Sequence, residues 1–409
     1  MFVSGRAMQL TYCTNIHAGE SWAEVDAALQ CQVVEVKQRV SPEAPFGVGL
    51  RLSARACQEL EADTARLGSL RAELAELGLY VFTLNGFPYG AFHGTRVKEA
   101  VYRPDWLEPE RVRYTASLAR VLGSLLPSGM AGSISTVPGC FAPRGASPQA
   151  RRLLVTNLCT AVAELVRLER SSGSRVQLAL EPEPACVLET TDETLAFYQD
   201  ELLHPETLAD LARALRVDAA EAELLLRRHL GVCVDACHAA VEFESPLHVV
   251  RRLRGAGIDV PKIQISAGLR VPSPSAASLS ALALFAEDTY LHQVVVRTPG
   301  PVGKLVRFLD LADALAAAHE LSRDAEWRVH FHVPVFEASL GAFSSTQEQL
   351  DELLTAPDVA ELTSHWEVET YTFDVLPEQY RNLPVTQAIA RELDWVLARL
   401  RPSAGSQRR

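Results

Sequence analysis

The chain has 409 residues, 48% of them apolar and 22% charged, which excludes wholesale disorder and allows a large buried core. Its formal net charge of -12 argues against a nucleic-acid binder, which needs a clustered basic surface. No uninterrupted apolar run reaches the length of a membrane span and residues 1–8 show no apolar signal core, so no membrane insertion and a cytoplasmic location are expected.

Short β-rich runs alternate with longer amphipathic runs rich in Ala, Leu, Arg and Glu. Leu10–Asn15 reads as a strand, and Ser21 caps the helix that follows. Further strand patterns are Gly47–Leu52, Leu79–Asn85, Gly132–Val137, Val176–Glu181, Gly231–Asp235 and Lys262–Ser266. Trp327–Val333 and His365–Tyr371 bring the total to nine. Strand–helix alternation of this kind predicts parallel βαβ units, and about eight of them predict a closed (β/α)8 TIM barrel, an α/β fold. The ninth pattern requires an insertion. His292–Arg297, the turn Thr298–Gly303 and Lys304–Arg307 read as a hairpin inserted at about 290–307, and a helical insertion spans about 193–230. One domain is expected over 8–400, with the polar tail 401–409 disordered. The eight cysteines (13, 31, 57, 140, 159, 186, 233, 237) form no CxxC pair and read as reduced thiols.

Active sites of such barrels lie at the C-terminal strand ends. Polar residues collect there: His17 after the first strand, Asn85 at the third, Glu181 at the fifth, Asp235 and His238 at the sixth, and Glu369 at the last. A lone acid at a strand end is ordinarily a helix cap or a solvated residue. Three acids from separate strands would build a negative pocket mouth, which a divalent cation compensates and histidine completes. Glu367 and Glu369 share a strand face, and Glu369 is nearer the end. His330 and His332 also share a face; either serves equally as a ligand or as a core residue bonded to backbone. No GxGxxG, P-loop, HExxH or GxSxG motif is present.

At these residues the chain resembles the xylose-isomerase-like barrel superfamily of sugar isomerases, epimerases and endonuclease IV type enzymes. More specifically, Thr11–His17, Gly49–Ser53, Leu84–Gly90, Tyr290–Val294, His330–Pro334 and Val368–Thr372 resemble the EboE family of metabolite traffic proteins. The resemblance implies a divalent ion (Mn, Mg, Zn or Co) on Glu181, Asp235 and Glu369, with Glu181 and Glu369 as the proton-transferring pair. The strand that should carry the histidine ligand has Gln264 instead, so His332 or His330 would supply the nitrogen, with His332 the choice. His17, Asn85, His238, Gln264 and His330 are left to contact substrate. Isomerases with Glu-Pro-x-Pro commonly carry Lys where this chain has Glu183, which argues against xylose isomerisation itself. The implied activity is an isomerase or epimerase acting on a small carbonyl or polyol metabolite. The alternative is a non-catalytic barrel that binds a metabolite or partner in a secondary-metabolite export pathway. A small metabolite and other proteins of the same gene cluster are the implied partners. Phosphoester hydrolysis fits least, given the charge and the small histidine set.

Overall fold

The computed structural model describes residues 1–3, 7–94, 96–300 and 303–400; the tail 401–409 lies outside the described residues. Seven strand patterns become parallel barrel staves in sequence order. They are β1 (Gln9–Tyr12), β2 (Phe46–Arg51), β3 (Leu79–Asn85), β4 (Gly132–Thr136), β5 (Val176–Leu180), β6 (Leu230–Asp235) and β7 (Lys262–Ile265). Nearly every residue in them is buried, as expected for staves covered by side chains inside and helices outside.

After β7 the chain leaves the barrel. β8 (Ala267–Val271), β9 (Val294–Arg297), β10 (Leu305–Phe308), β11 (Glu326–Val333), β12 (Ser339–Leu340) and β13 (Phe343–Ser345) form a separate antiparallel sheet in the order β10-β9-β11-β8-β13-β12. The eighth stave, β14 (His365–Val368), then returns between β7 and β1. The pattern at 327–333 is therefore not a stave, and the inserted segment runs from β8 to β13. Alternation records which faces of β11 are covered; its partners are β8 and β9, with Trp327 opposite Val271 on one side and Val296 on the other. Helices Pro205–Leu215 and Ala219–His229 fill the connection between β5 and β6.

The β1–β2 seam closes the ring through side chains as well as backbone. Cys13 bridges Gly49, while Thr11 Oγ1 donates to Gly47 O at 2.7 Å and accepts from Gly49 N at 2.9 Å. A Cβ at position 49 would overlap Tyr12 O and the Glu367 carboxylate, so glycine is required there. Helix starts are set by local caps: Ser21 makes a full capping box with Glu24, and Ser53 and Ser147 each accept a backbone N–H. All eight cysteines are unpaired. Among the described residues, no helix is long and apolar enough to cross a membrane.

Candidate metal centre

Glu181 follows β5 directly, Asp235 ends β6, and Glu369 follows β14 directly. Each sits where its stave stops: Glu181 N donates to Thr136 O and Glu369 N to Ile265 O, both at 3.0 Å. The three side chains are 2–3% exposed, and one carboxylate oxygen from each lies within 4.8 Å of the others.

The chain satisfies part of each group and leaves part open. Asp235 Oδ1 caps the helix Ala236–Val241 by accepting from His238 N at 2.9 Å, and also accepts from Ser266 Oγ at 2.7 Å. The helix-cap role is thus real for one oxygen; Oδ2 is buried without a partner. Glu369 Oε1 accepts from Asn15 Nδ2 at 2.8 Å and Asn85 Nδ2 at 2.9 Å. Glu181 Oε2 has no partner. His332 Nδ1–H donates to Glu369 O at 2.8 Å, which fixes the tautomer and leaves the lone pair of Nε2 unpartnered and buried. Donor atoms of His332, His238 and Asp235 also lie within 4.8 Å of one another.

Burial, then the charges of Glu369 and Asp235, push the Glu181 carboxyl well above its ordinary value. Glu369 moves the same way, through burial and then Asp235 and Glu367. Asp235 goes down: burial opposes this, but the His238 and His332 imidazoles, His238 N–H and Ser266 O–H outweigh it. Burial lowers His332 to about 4, so at neutral pH it is the neutral imidazole that a metal requires.

Glu181 and Glu369 open onto a cavity of about 50 Å³, whose wall also includes Asn85, His238 and His330. His238 Nδ1 donates to Pro182 O at 3.0 Å and His330 Nδ1 to Gln293 Oε1 at 2.7 Å, with the two Nε2 atoms 3.0 Å apart. Phe92, Tyr290 and Tyr371 pack ring against ring at 5.1–5.3 Å on the same wall. Two expected residues are not brought to this cavity. Gln264 is fully buried in the barrel interior, where its Oε1 accepts from Cys233 Sγ at 3.1 Å. His17 bonds Tyr12 Oη at 2.9 Å and lines a separate small cavity of about 10 Å³ beside Thr14 and Arg51. Conversely, Glu183 lines the main cavity, and so does Asn15. The Glu-Pro-Glu-Pro run already marked Glu183, but a departure from a family pattern gives no indication of where the side chain points.

No protein-family model matches the chain, and no curated protein matches it. Among solved structures it is similar to the probable 3-DHS dehydratase AsbF of Bacillus anthracis, at 12% identity and TM-score 0.46, over 95% of this chain and 98% of that one. It is also similar to the IOLI protein with a binding zinc atom (11%, TM-score 0.47, 96% and 98%). A third is endonuclease IV from Thermus thermophilus (14%, TM-score 0.43, 96% and 98%).

Proposed function

We propose that this chain is a divalent-metal-dependent isomerase or epimerase acting on a small carbonyl or polyol metabolite. One observation carries the reading. Glu181 Oε2, Asp235 Oδ2 and His332 Nε2 are buried without partners, beside the Glu369 carboxylate. Buried polar atoms in folded chains are otherwise satisfied, and this mixed oxygen and nitrogen set suits Mn, Mg, Zn or Co. When bound, such an ion polarises a substrate carbonyl and steadies negative charge on its oxygen.

The chain's own groups do the rest. Glu181 and Glu369 rise from staves that β6 and β7 separate, so they address a substrate carbon from different sides of the barrel. Such a pair removes a proton from one face and returns it to the other. Asn15 and Asn85 hold the Glu369 carboxylate in one orientation, and the Phe92–Tyr290–Tyr371 cluster excludes water.

The finer reading is a metabolite-traffic role of the EboE type, in the cytoplasm, with products of the same gene cluster as partners. Its support is that separate motifs of the resemblance meet at one cavity: Asn85 and Phe87 from one, Tyr290 from another, His330 and Tyr371 from two more. Protein purified without chelator should hold one equivalent of a divalent ion. In D2O the loaded protein should exchange the carbon-bound proton beside the carbonyl of D-fructose, D-tagatose or D-ribulose, read by proton NMR. Glu369→Gln should lose both properties. Metal without exchange would point to the binding barrel; no metal would overturn the reading.

A further inference from the structure

Glu183 has no part in the chemistry above, yet it lines the same cavity and is only 6% exposed. Its two oxygens differ. Oε1 accepts from Tyr102 Oη at 3.0 Å and from Gln293 Nε2 at 3.3 Å. Oε2 is buried and has no partner. An ionised carboxylate oxygen in that position is costly unless a cation meets it.

Among the described residues of the cavity wall no lysine or arginine meets Oε2, and His330 Nδ1 lies 3.7 Å from Oε1. Lys98 is the one lysine or arginine among the described lining residues, and it is tied back. Its Nζ donates to Asp310 Oδ2 at 2.6 Å and to Glu287 O at 2.9 Å. The acidic lining groups are Glu181, Glu183 and Glu369, with Asp235 close behind. Even a divalent ion on the first site would leave this end of the cavity negative. A phosphate or carboxylate entering it meets repulsion, and a hydroxyl brings a donor but no compensating charge.

Five lining residues carry aromatic rings: Phe87, Phe92, Tyr102, Tyr290 and Tyr371. Ring faces attract a cation without competing for its protons, and a desolvated ammonium gains most from them. A carboxylate with one free oxygen, several rings and no untied lysine or arginine among the described lining residues together select a positively charged organic group.

We propose that the cavity takes a small amine-bearing ligand, an amino-polyol or amino-ketose, with its ammonium on Glu183 Oε2 and the aromatic wall. Its oxygens face Glu181 and Glu369, and this half rests on the metal-dependent reading above. The ammonium half does not. The rival occupant is a second metal ion, because Glu183, His238 and His330 also offer donor atoms within 4.8 Å of one another.

The test is calorimetric titration of the full chain, with and without bound Mn, using 1-amino-1-deoxy-D-fructose, D-fructose and D-fructose 6-phosphate as probes. The amine should bind at least about tenfold more tightly than fructose, with the phosphate weakest. Glu183→Gln should erase the preference while keeping wild-type Mn affinity. Phe92→Leu, which keeps every carboxylate, should reduce amine affinity by about two- to tenfold and serves if Glu183→Gln does not fold. Equal affinities, a tighter phosphate, or no amine binding would overturn the proposal. So would two equivalents of bound Mn falling to one in Glu183→Gln, which would assign Glu183 to a metal. An amine preference in protein that binds no Mn would uphold this inference while the metal-dependent reading fails.

Discussion

Glu367 in the barrel interior and Glu369 at its mouth are two residues apart on one strand face, and they live under opposite electrostatic arrangements. Glu367 is fully buried and ion-paired to Lys262 Nζ at 2.5 Å, with Lys262 fully buried as well. Glu369 is held by the amides of Asn15 and Asn85, which donate hydrogen bonds but carry no charge, and it faces Glu181 and Asp235. The interior is electrically closed on itself. At the mouth three carboxylates meet, and none of them is ion-paired to a lysine or arginine among the described residues.

The largest effect should come from unbalancing the interior. Lys262→Met leaves the Glu367 charge alone and should cost about 3–5 kcal/mol in urea unfolding. The double variant Lys262→Met/Glu367→Leu should recover most of it. A loss below about 1 kcal/mol in the single variant would mean that Glu367 is not charged there.

At the mouth, adding metal should do what Lys262 does inside. Mn or Zn at a hundred times its dissociation constant should raise the unfolding free energy by about 2.7 kcal/mol. Asp235→Asn keeps an oxygen for the helix cap, so its metal-free stability should stay near wild type while the metal-induced gain shrinks. An unchanged gain would remove Asp235 from the site.

A smaller effect separates groups that bind from groups that position. His332→Ala should weaken metal retention more than His330→Ala, because only His332 has its free nitrogen fixed by the Glu369 carbonyl. Asn85→Ala should lower metal affinity by about 10–100-fold through the loosened Glu369 carboxylate. Equal, negligible losses for both histidines would make them core residues.

The finest test uses pH. The folded-state value of Glu181 lies well above the ordinary 4.5, so its contribution to stability is present below about 4.5 and is lost as pH rises through the folded value. Glu181→Gln lacks that loss. In chelator the variant should match wild type near pH 4 and gain on it steadily toward pH 8, by urea melts. Taking the difference between the two proteins cancels the opposite trend of His332, whose lowered value makes its contribution fade as pH falls from 6.5 toward 4. A constant or shrinking difference would show that Glu181 is not held in repulsion.

The residue pattern contained all eight staves among its nine strand runs, together with the rim position of three acids. Strand periodicity marks covered faces, and a carboxylate that ends a buried run must lie at the rim, so Glu181, Asp235 and Glu369 were legible from position alone. The same signal left β11 undecided, because an alternating run is compatible with any two neighbours. Only the pairing with β8 and β9 removed it from the barrel and put His332 beside Asp235. Tertiary structure also decided the fate of single side chains. His17 turned to Tyr12, Gln264 sank beside Cys233, and Glu183 came into the cavity with one oxygen free. Burial patterns are encoded residue by residue along the chain, whereas a side chain's partner is chosen among groups distant in sequence, and that choice exists only once the ring of staves has closed.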